Sequence, residues 1–222
     1  MQETGIQEAG TNEELTETGT VGRGGDIGIV LLAAGESARM GQPKQLLSYK
    51  GRTLLRHAVE TALTLQASSI IVVLGAHSES IRPELEGLPV HIVENSDWRG
   101  GMGYSLRAGL QALLDGWPHT AAALFLLCDQ PHITPELLHC LEQEWRHGAT
   151  LAATQYETRS GVPAIFAAMW FPELLALQGA EGARQLLTKY ADSVVAIPFP
   201  PGAIDVDDPA DYAALLSQPR FC

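Results

Sequence analysis

Three short apolar runs, 27–33, 70–74 and 121–127, alternate with stretches whose apolar residues recur every three or four positions. The run Ile70-Ile71-Val72-Val73-Leu74 has no polar alternation, the pattern of a strand buried on both faces. Over 53–66, Leu55, Val59 and Leu63 share one helical face behind Thr53, a capping residue. Thr134, Pro135 and Glu136 open another helix in the order that a cap, a first-turn proline and the positive helix end favour. The same reasoning predicts helices over 104–114, 182–190 and 209–216, a short one over 78–85 turned near Pro83, and strands over 90–93, 151–155, 162–166 and 194–197. Such alternation over 222 residues predicts an α/β fold of three layers, with a mostly parallel, twisted sheet between helices. Ligands of such sheets sit outside the carboxyl ends of the strands, so the residues just past each strand carry the functional argument.

Composition narrows the class. A hydrophobic fraction of 45% supports a full core, and no apolar run is long enough to span a bilayer. A formal net charge of −12 argues against a nucleic-acid surface. In residues 1–25, Glu3, Glu8, Glu13, Glu14 and Glu17 stand against Arg23 alone, with little apolar periodicity. This segment reads as an acidic, disordered tail, leaving 26–222 as a single domain. It lacks the basic start and apolar stretch of a signal peptide, so the expected location is cytoplasmic, with no membrane contact. Cys128, Cys140 and Cys222 show no Cys-x-x-Cys spacing and read as reduced thiols. His139, Cys140 and His147 share a predicted helix, where a half-exposed face is favoured over a metal site.

The segment after the first strand stands out. It holds Gly35 and Gly41, which allow close approach of backbone N–H groups to an anion, and the cations Arg39 and Lys44. These features suit a polyphosphate, the alternative being an ordinary strand-to-helix turn. The glycines are one residue too far apart for a P-loop, and Gln42 and Pro43 separate the lysine from its glycine. The cluster Gly22-Arg23-Gly24-Gly25 precedes the first strand, the wrong side for a dinucleotide fingerprint. After 121–127 comes Asp129 at a strand end, a ligand-facing carboxylate or a turn cap. Asp208 before Pro209 suits an N-cap, whereas Asp205 and Asp207 have no local duty and at strand-like alternation point to one side. Carboxylates near a polyphosphate loop suggest a Mg²⁺ site. Finally, Gly100, Gly101 and Gly103 run into a helix whose first N–H groups can face an anion, with Trp98 and Met102 offering apolar contact.

Five segments, in order, carry a family resemblance: Leu32-Ala33-Ala34-Gly35-Glu36-Ser37-Ala38-Arg39-Met40-Gly41-Gln42-Pro43-Lys44, Trp98-Arg99-Gly100-Gly101-Met102-Gly103-Tyr104-Ser105, Asp129-Gln130-Pro131, Gly161-Val162-Pro163-Ala164-Ile165-Phe166, and Asp205-Val206-Asp207-Asp208-Pro209-Ala210-Asp211. The chain resembles the molybdopterin nucleotidyltransferases, and among them the molybdenum cofactor cytidylyltransferases. The resemblance implies a Rossmann-like nucleotidyltransferase fold and Mg²⁺-dependent transfer of CMP from CTP to Mo-molybdopterin, with Mn²⁺ as a substitute ion. It implies nucleotide binding by Leu32, Ala33, Ala34, Gly35, Ser37, Arg39 and Lys44, with Arg39 on the β/γ-phosphates and Lys44 on the α-phosphate. Arg39, Lys44 and Asp129 would be catalytic, Asp129 and Asp207 would hold the metal, and Trp98, Gly101, Met102 and Ser105 would bind the acceptor. A molybdenum hydroxylase or its chaperone is the implied recipient.

Ala34 and Pro43 stand where related guanylyltransferases typically have Gly and Asp, which points to CTP over GTP. Other readings are a guanylyltransferase, a cytidylyltransferase for another phosphorylated small molecule, and a non-catalytic nucleotide-binding or chaperone module. A nicotinamide oxidoreductase is disfavoured by the missing fingerprint.

Overall fold

The computed structural model describes residues 26–217, so the tail read over 1–25 and Cys222 lie outside the described residues. The chain opens with β1 (Asp26–Ala33), a small hairpin of β2 (Ser48–Tyr49) and β3 (Arg52–Thr53), and α1 (Leu54–Ala62). Next come β4 (Ser69–Leu74), α2 (Ser78–Ile81), β5 (His91–Glu94), α3 (Met102–Gly116), β6 (Thr120–Leu127) and α4 (Pro135–Arg146). β7 (Leu151–Tyr156), β8 (Arg159–Ala167), α5 (Phe171–Ala176), α6 (Ala183–Lys189), β9 (Val195–Pro198) and α7 (Pro209–Ser217) complete it.

A seven-stranded sheet runs in the order β5-β4-β1-β6-β8-β7-β9. β5, β4, β1 and β6 are mutually parallel, and β7 pairs with β9 in parallel. β8 alone is reversed, antiparallel to both β6 and β7. The sheet is therefore mostly parallel and Rossmann-like, as the alternation predicts. Every residue of β4 is buried, as its unbroken apolar run requires. Phe125 lines one cavity with Leu106 of α3, whereas its neighbour Leu126 lines another with residues of α1 and α4. Successive strand residues face opposite ways, so α3 and the α1–α4 pair cover opposite faces of the sheet. Each fully buried Leu or Phe in these layers, such as Leu31, Leu110 and Phe125, contributes about 1.5–3 kcal/mol.

The caps follow the sequence reading. Thr53 accepts a hydrogen bond from the N–H of Arg56 at 3.2 Å, and Thr134 from that of Leu137 at 3.4 Å. The carboxylate of Asp208 accepts from the N–H groups of Ala210 and Asp211 at 2.8 and 3.0 Å. The hairpin over 48–53 and the helix α5 have no counterpart in the sequence reading, being too short to show a period. Among the described residues no helix is long and apolar enough to cross a membrane.

α3 lies close against β1 and β4 because Gly109 has no side chain. A Cβ there would sit 2.4 Å from Cγ1 of Val30 and 2.7 Å from Cγ2 of Val73. Valine is stiff at χ1 and cannot swing aside. In a helix Gly→Ala ordinarily gains about 1 kcal/mol. Here Gly109→Ala is expected to cost about 1–3 kcal/mol. Gly116→Ala, at the open end of the same helix with nothing within 4 Å, is expected to be neutral or stabilising. Urea denaturation of the two variants checks the opposite signs.

Candidate active site

The parallel strands β1, β4, β5 and β6 end at one edge, and the loops that follow them converge there. The first loop, 34–43, is held from inside. Gln45, fully buried, donates through Nε2 to the carbonyls of Ala33 at 2.8 Å and Gly35 at 3.0 Å. The Ser37 hydroxyl donates to Gln45 Oε1 at 3.4 Å and accepts from the Lys44 N–H at 3.1 Å. Ser37 itself has a positive φ of 59°. The loop is thus wound around the Gln45 amide, with its Ser37 hydroxyl occupied inside it.

From this frame Lys44 reaches across the strand ends. Its ammonium forms ion pairs with Asp129 Oδ2 and, at 3.0 Å, with Asp207 Oδ1. The other oxygen of Asp207 accepts from Arg39 Nη2 at 2.7 Å. Exposure rises outward: the side chains of Asp129 and Lys44 are 13% and 15% exposed, Asp207 35% and Arg39 70%. Burial works against the Lys44 charge, but the charge and hydrogen bond of Asp129 outweigh it and Asp207 adds to them. The ammonium is therefore held above its ordinary range. For Asp207 partial burial is likewise outweighed, by Lys44 first and then Arg39, and its carboxyl is held low. Burial beside Asp129 pushes the Cys128 thiol up to about 12, so it stays protonated.

Asp129 Oδ1 is buried and has no hydrogen-bond partner among the described residues. A buried carboxylate oxygen left uncommitted is costly unless a cation or donor meets it. The donor set therefore fits a hard divalent ion in this one oxygen, while both Asp207 oxygens are engaged by cations. The Asp129 turn is fixed from two sides. Its carbonyl accepts from the Val206 N–H at 2.9 Å, and His57 Nε2 hydrogen bonds to the carbonyl of Pro131 at 3.1 Å.

Beside this cluster lies a cleft of about 380 Å³ lined by Leu32, Ala33, Ala34, Gly35, Lys44 and Asp129 from the strand ends, and by Trp98, Gly101, Met102 and Ser105 from the glycine loop. Leu32, Ala33, Ala34, Gly35 and Lys44 of the residues expected for nucleotide thus share one cleft with those expected for the acceptor, whereas Ser37 and Arg39 do not line it. Ser105 is buried, and its hydroxyl accepts from Asn95 Nδ2 at 3.0 Å. Gly101, with φ of 113°, lets the loop lie on segment 178–181: a Cβ there would be 2.3 Å from the carbonyl oxygen of Gly179. A larger chamber of about 600 Å³ adjoins the cleft, sharing Leu32, Met102 and Leu127 with it.

Asp205 and Asp207 differ from the expected common side. Residues 204–208 form no strand, and the buried Val206 turns toward Asp129. Asp207 meets the cations, whereas Asp205 lines the larger chamber with Gln130 and Tyr156. Withdrawal from water there, with the charges of Asp129 and Asp207, pushes the Asp205 carboxyl up to about 6. Gln45 and His57 escaped the sequence reading. The signal for Gln45 was its place directly after Lys44 at an otherwise apolar turn; His57 gave none.

The family model described as the MobA-like NTP transferase domain matches residues 29–194. Nicotine blue oxidoreductase of Paenarthrobacter nicotinovorans is 35% identical over 167 residues, covering 71% of this chain and 79% of that protein. The bifunctional protein GlmU of Legionella pneumophila is 37% identical over 121 residues, which span 52% of this chain and 24% of GlmU. Among solved structures, Rv0371c from Mycobacterium tuberculosis H37Rv superposes with a TM-score of 0.73 at 30% identity, over 87% of this chain and 100% of that one. A structure of Rv0371c in complex with manganese gives the same TM-score and coverage at 27% identity. These similarities define a class, the nucleotidyltransferases. Within it the chain belongs to the MobA-like NTP transferase family.

The Gln45 frame is testable. Gln45→Leu leaves the Ala33 and Gly35 carbonyls without this donor and is expected to cost about 1–3 kcal/mol, measured by urea denaturation. Loss of NTP binding in nucleotide titrations should accompany it, since the loop would no longer be held.

Proposed function

We propose that residues 26–222 act as one domain that transfers CMP from CTP to the terminal phosphate of molybdopterin, releasing pyrophosphate. The observation that carries this reading is the Lys44 ammonium between Asp129 and Asp207, with Arg39 on the far side of Asp207, where Lys44 and Asp129 line the cleft. An acceptor phosphate is ionised near neutral pH, so the reaction needs no strong base. It needs two anions brought together. Lys44 would move from Asp207 toward the α-phosphate, staying tied to Asp129. Arg39 is exposed, and such an ion pair is worth only about 0–1 kcal/mol. Exchanging Asp207 for the β/γ-phosphates is therefore cheap, and the planar guanidinium fits their oxygens in a way lysine does not.

Asp129, through Oδ1, and Asp207, once released by its cations, would hold Mg²⁺ or Mn²⁺. The bound ion would offset charge on the phosphates and on leaving pyrophosphate. The manganese complex of Rv0371c supports a divalent ion in this family. Ala34 on the cleft wall supports the smaller base, though one methyl group gives only modest discrimination. A molybdenum hydroxylase or its chaperone would receive the product, in the cytoplasm, where the free thiols Cys128 and Cys140 stay reduced.

The identity to nicotine blue oxidoreductase favours one second reading, a redox enzyme on the same scaffold. Against it, the loop after β1 is Ala34-Gly35-Glu36-Ser37, without the dinucleotide fingerprint.

The assay offers Mo-molybdopterin, Mg²⁺ or Mn²⁺ and each NTP in turn, and follows pyrophosphate. CTP should turn over fastest, and chelation of the metal should stop release. Faster turnover with GTP would reverse the base assignment, and NADH oxidation without pyrophosphate would favour the redox reading. Lys44→Met and Asp129→Asn are each expected to lower kcat by about 10²–10³ or more, with the circular dichroism of the fold retained. Normal pyrophosphate release by Asp129→Asn would reject its role.

A further inference from the structure

The larger chamber carries charges that nothing else in the molecule uses. Arg159, at the start of β8, and Arg184, in the first turn of α6, both line it. The guanidinium group of neither has an ion pair, hydrogen bond or ring contact among the described residues, their backbones being engaged in the β7–β8 hairpin and in α6. Every other described arginine and lysine has one. Arg39, Arg52, Arg56, Arg82 and Arg146 pair with carboxylates, as do Lys44 and Lys189. Arg99, Arg107 and Lys50 lie over aromatic rings. In a chain of net charge −12, two guanidinium groups without partners facing the same chamber are a specific arrangement. Glu157 and Asp205 line that chamber too, yet neither lies within ion-pair distance of either arginine.

We propose that this chamber binds the second substrate and that Arg159 and Arg184 grip an anionic group of it. The inference rests on the nucleotidyl-transfer reading for the word substrate, but the anion site stands on the arginines alone. The chamber meets the nucleotide cleft at Leu32, Met102 and Leu127, so a molecule seated in it can present one end to Lys44 and Asp129. Its volume of about 600 Å³ exceeds the 380 Å³ of the cleft, enough for a polycyclic or otherwise extended body. Its apolar walls, Leu106, Phe125 and Val162, would cover such a body, and Gln130 and Tyr156 supply polar atoms. The ligand class is an extended organic anion with an apolar or planar middle. The arginines hold either the reacting phosphate or a second anionic group of the same molecule.

The test compares the full chain with Arg159→Gln, Arg184→Gln and the double variant. The KM for Mo-molybdopterin should rise about 10- to 100-fold per arginine, with the KM for NTP unchanged. A matching fall in kcat assigns the arginines to the reacting phosphate, and an unchanged kcat to a second anionic group. Arg159→Lys and Arg184→Lys should recover part of the loss, because the charge remains and the fork does not. A second arm needs no turnover: thermal unfolding with inorganic phosphate or Mo-molybdopterin, without NTP. Either anion should raise the Tm of the wild type and of Lys44→Met, but not of the double variant. If the wild type releases no pyrophosphate with molybdopterin while this arginine-dependent shift persists, the functional reading falls and the anion site stands. If the shift is the same in the double variant, the inference is overturned, and this arm decides wherever the two disagree.

Discussion

The ammonium of Lys44 between Asp129 and Asp207 ties together three segments that are remote in the chain: the loop after β1, the turn after β6 and the entry to α7. Lys44 and Asp129 are largely withdrawn from water, so neither can lose the other cheaply, whereas the more exposed Asp207 can be exchanged. Removing one carboxylate would leave a half-buried charge looking for another. The geometry is fixed most firmly inside, at Lys44 and Asp129, and least at Arg39 on the rim. This gradient suits a site that must keep its reacting centre in place while its outer cation changes partners.

The third segment is drawn in by more than charge. Val206 is fully buried in a small apolar cluster with Met40, Leu47, Tyr49, Leu54 and Leu215, separate from the main core. Met40 belongs to the first loop and Leu215 to α7. The cluster therefore fastens the loop to the C-terminal helix, and the Val206 N–H bond to the Asp129 carbonyl closes the triangle. Asp207 reaches Lys44 because its neighbour is anchored. The Tyr212 hydroxyl, which donates to the Ser48 carbonyl at 2.7 Å, adds a further tie. The glycine loop is positioned by a different device, close backbone approach: Gly103 N–H donates to the Gly179 carbonyl at 3.1 Å, and a side chain at Gly101 would prevent that contact.

The sheet was legible because its evidence is local. An unbroken apolar run such as 70–74 has few alternatives to a doubly covered strand, and Thr53, Thr134 and Asp208 announce their helices within four residues. The reversal of β8 was not legible, since a short apolar strand carries no sign of its direction. It follows from the tight link between Tyr156 and Arg159, which makes β7 and β8 a hairpin. At the site, residue types and order pointed to Arg39, Lys44, Asp129 and Asp207, and the structure brings these four together. What the sequence could not supply was pairing in space. Asp205 and Asp207 look equivalent on paper, yet Asp205 lines the larger chamber and Asp207 meets Lys44 and Arg39, with the buried Val206 between them. Trp98, Gly101, Met102 and Ser105 read as a separate subsite, yet they share the cleft with Ala33 and Lys44.

The charge of the chain poses a physical problem for any polyanionic ligand. At −12 the protein repels such molecules, but at physiological ionic strength that field decays within about 8 Å. Recognition must then be local, through cations already aimed at the ligand. Most cations in this molecule are neutralised by a carboxylate or laid on a ring, which removes them from competition. Among the described residues, those able to meet an anion at the cavities are Lys44 and Arg39 through exchange at Asp207, and Arg159 and Arg184 directly. Lys44 lines the smaller cavity, with Arg39 beside it across Asp207, and Arg159 and Arg184 line the adjoining chamber, so among the described residues these cations flank one continuous space. Pairing the others with carboxylates adds selectivity, because an anion docking at Arg52, Arg56, Arg82, Arg146 or Lys189 would first have to displace a carboxylate.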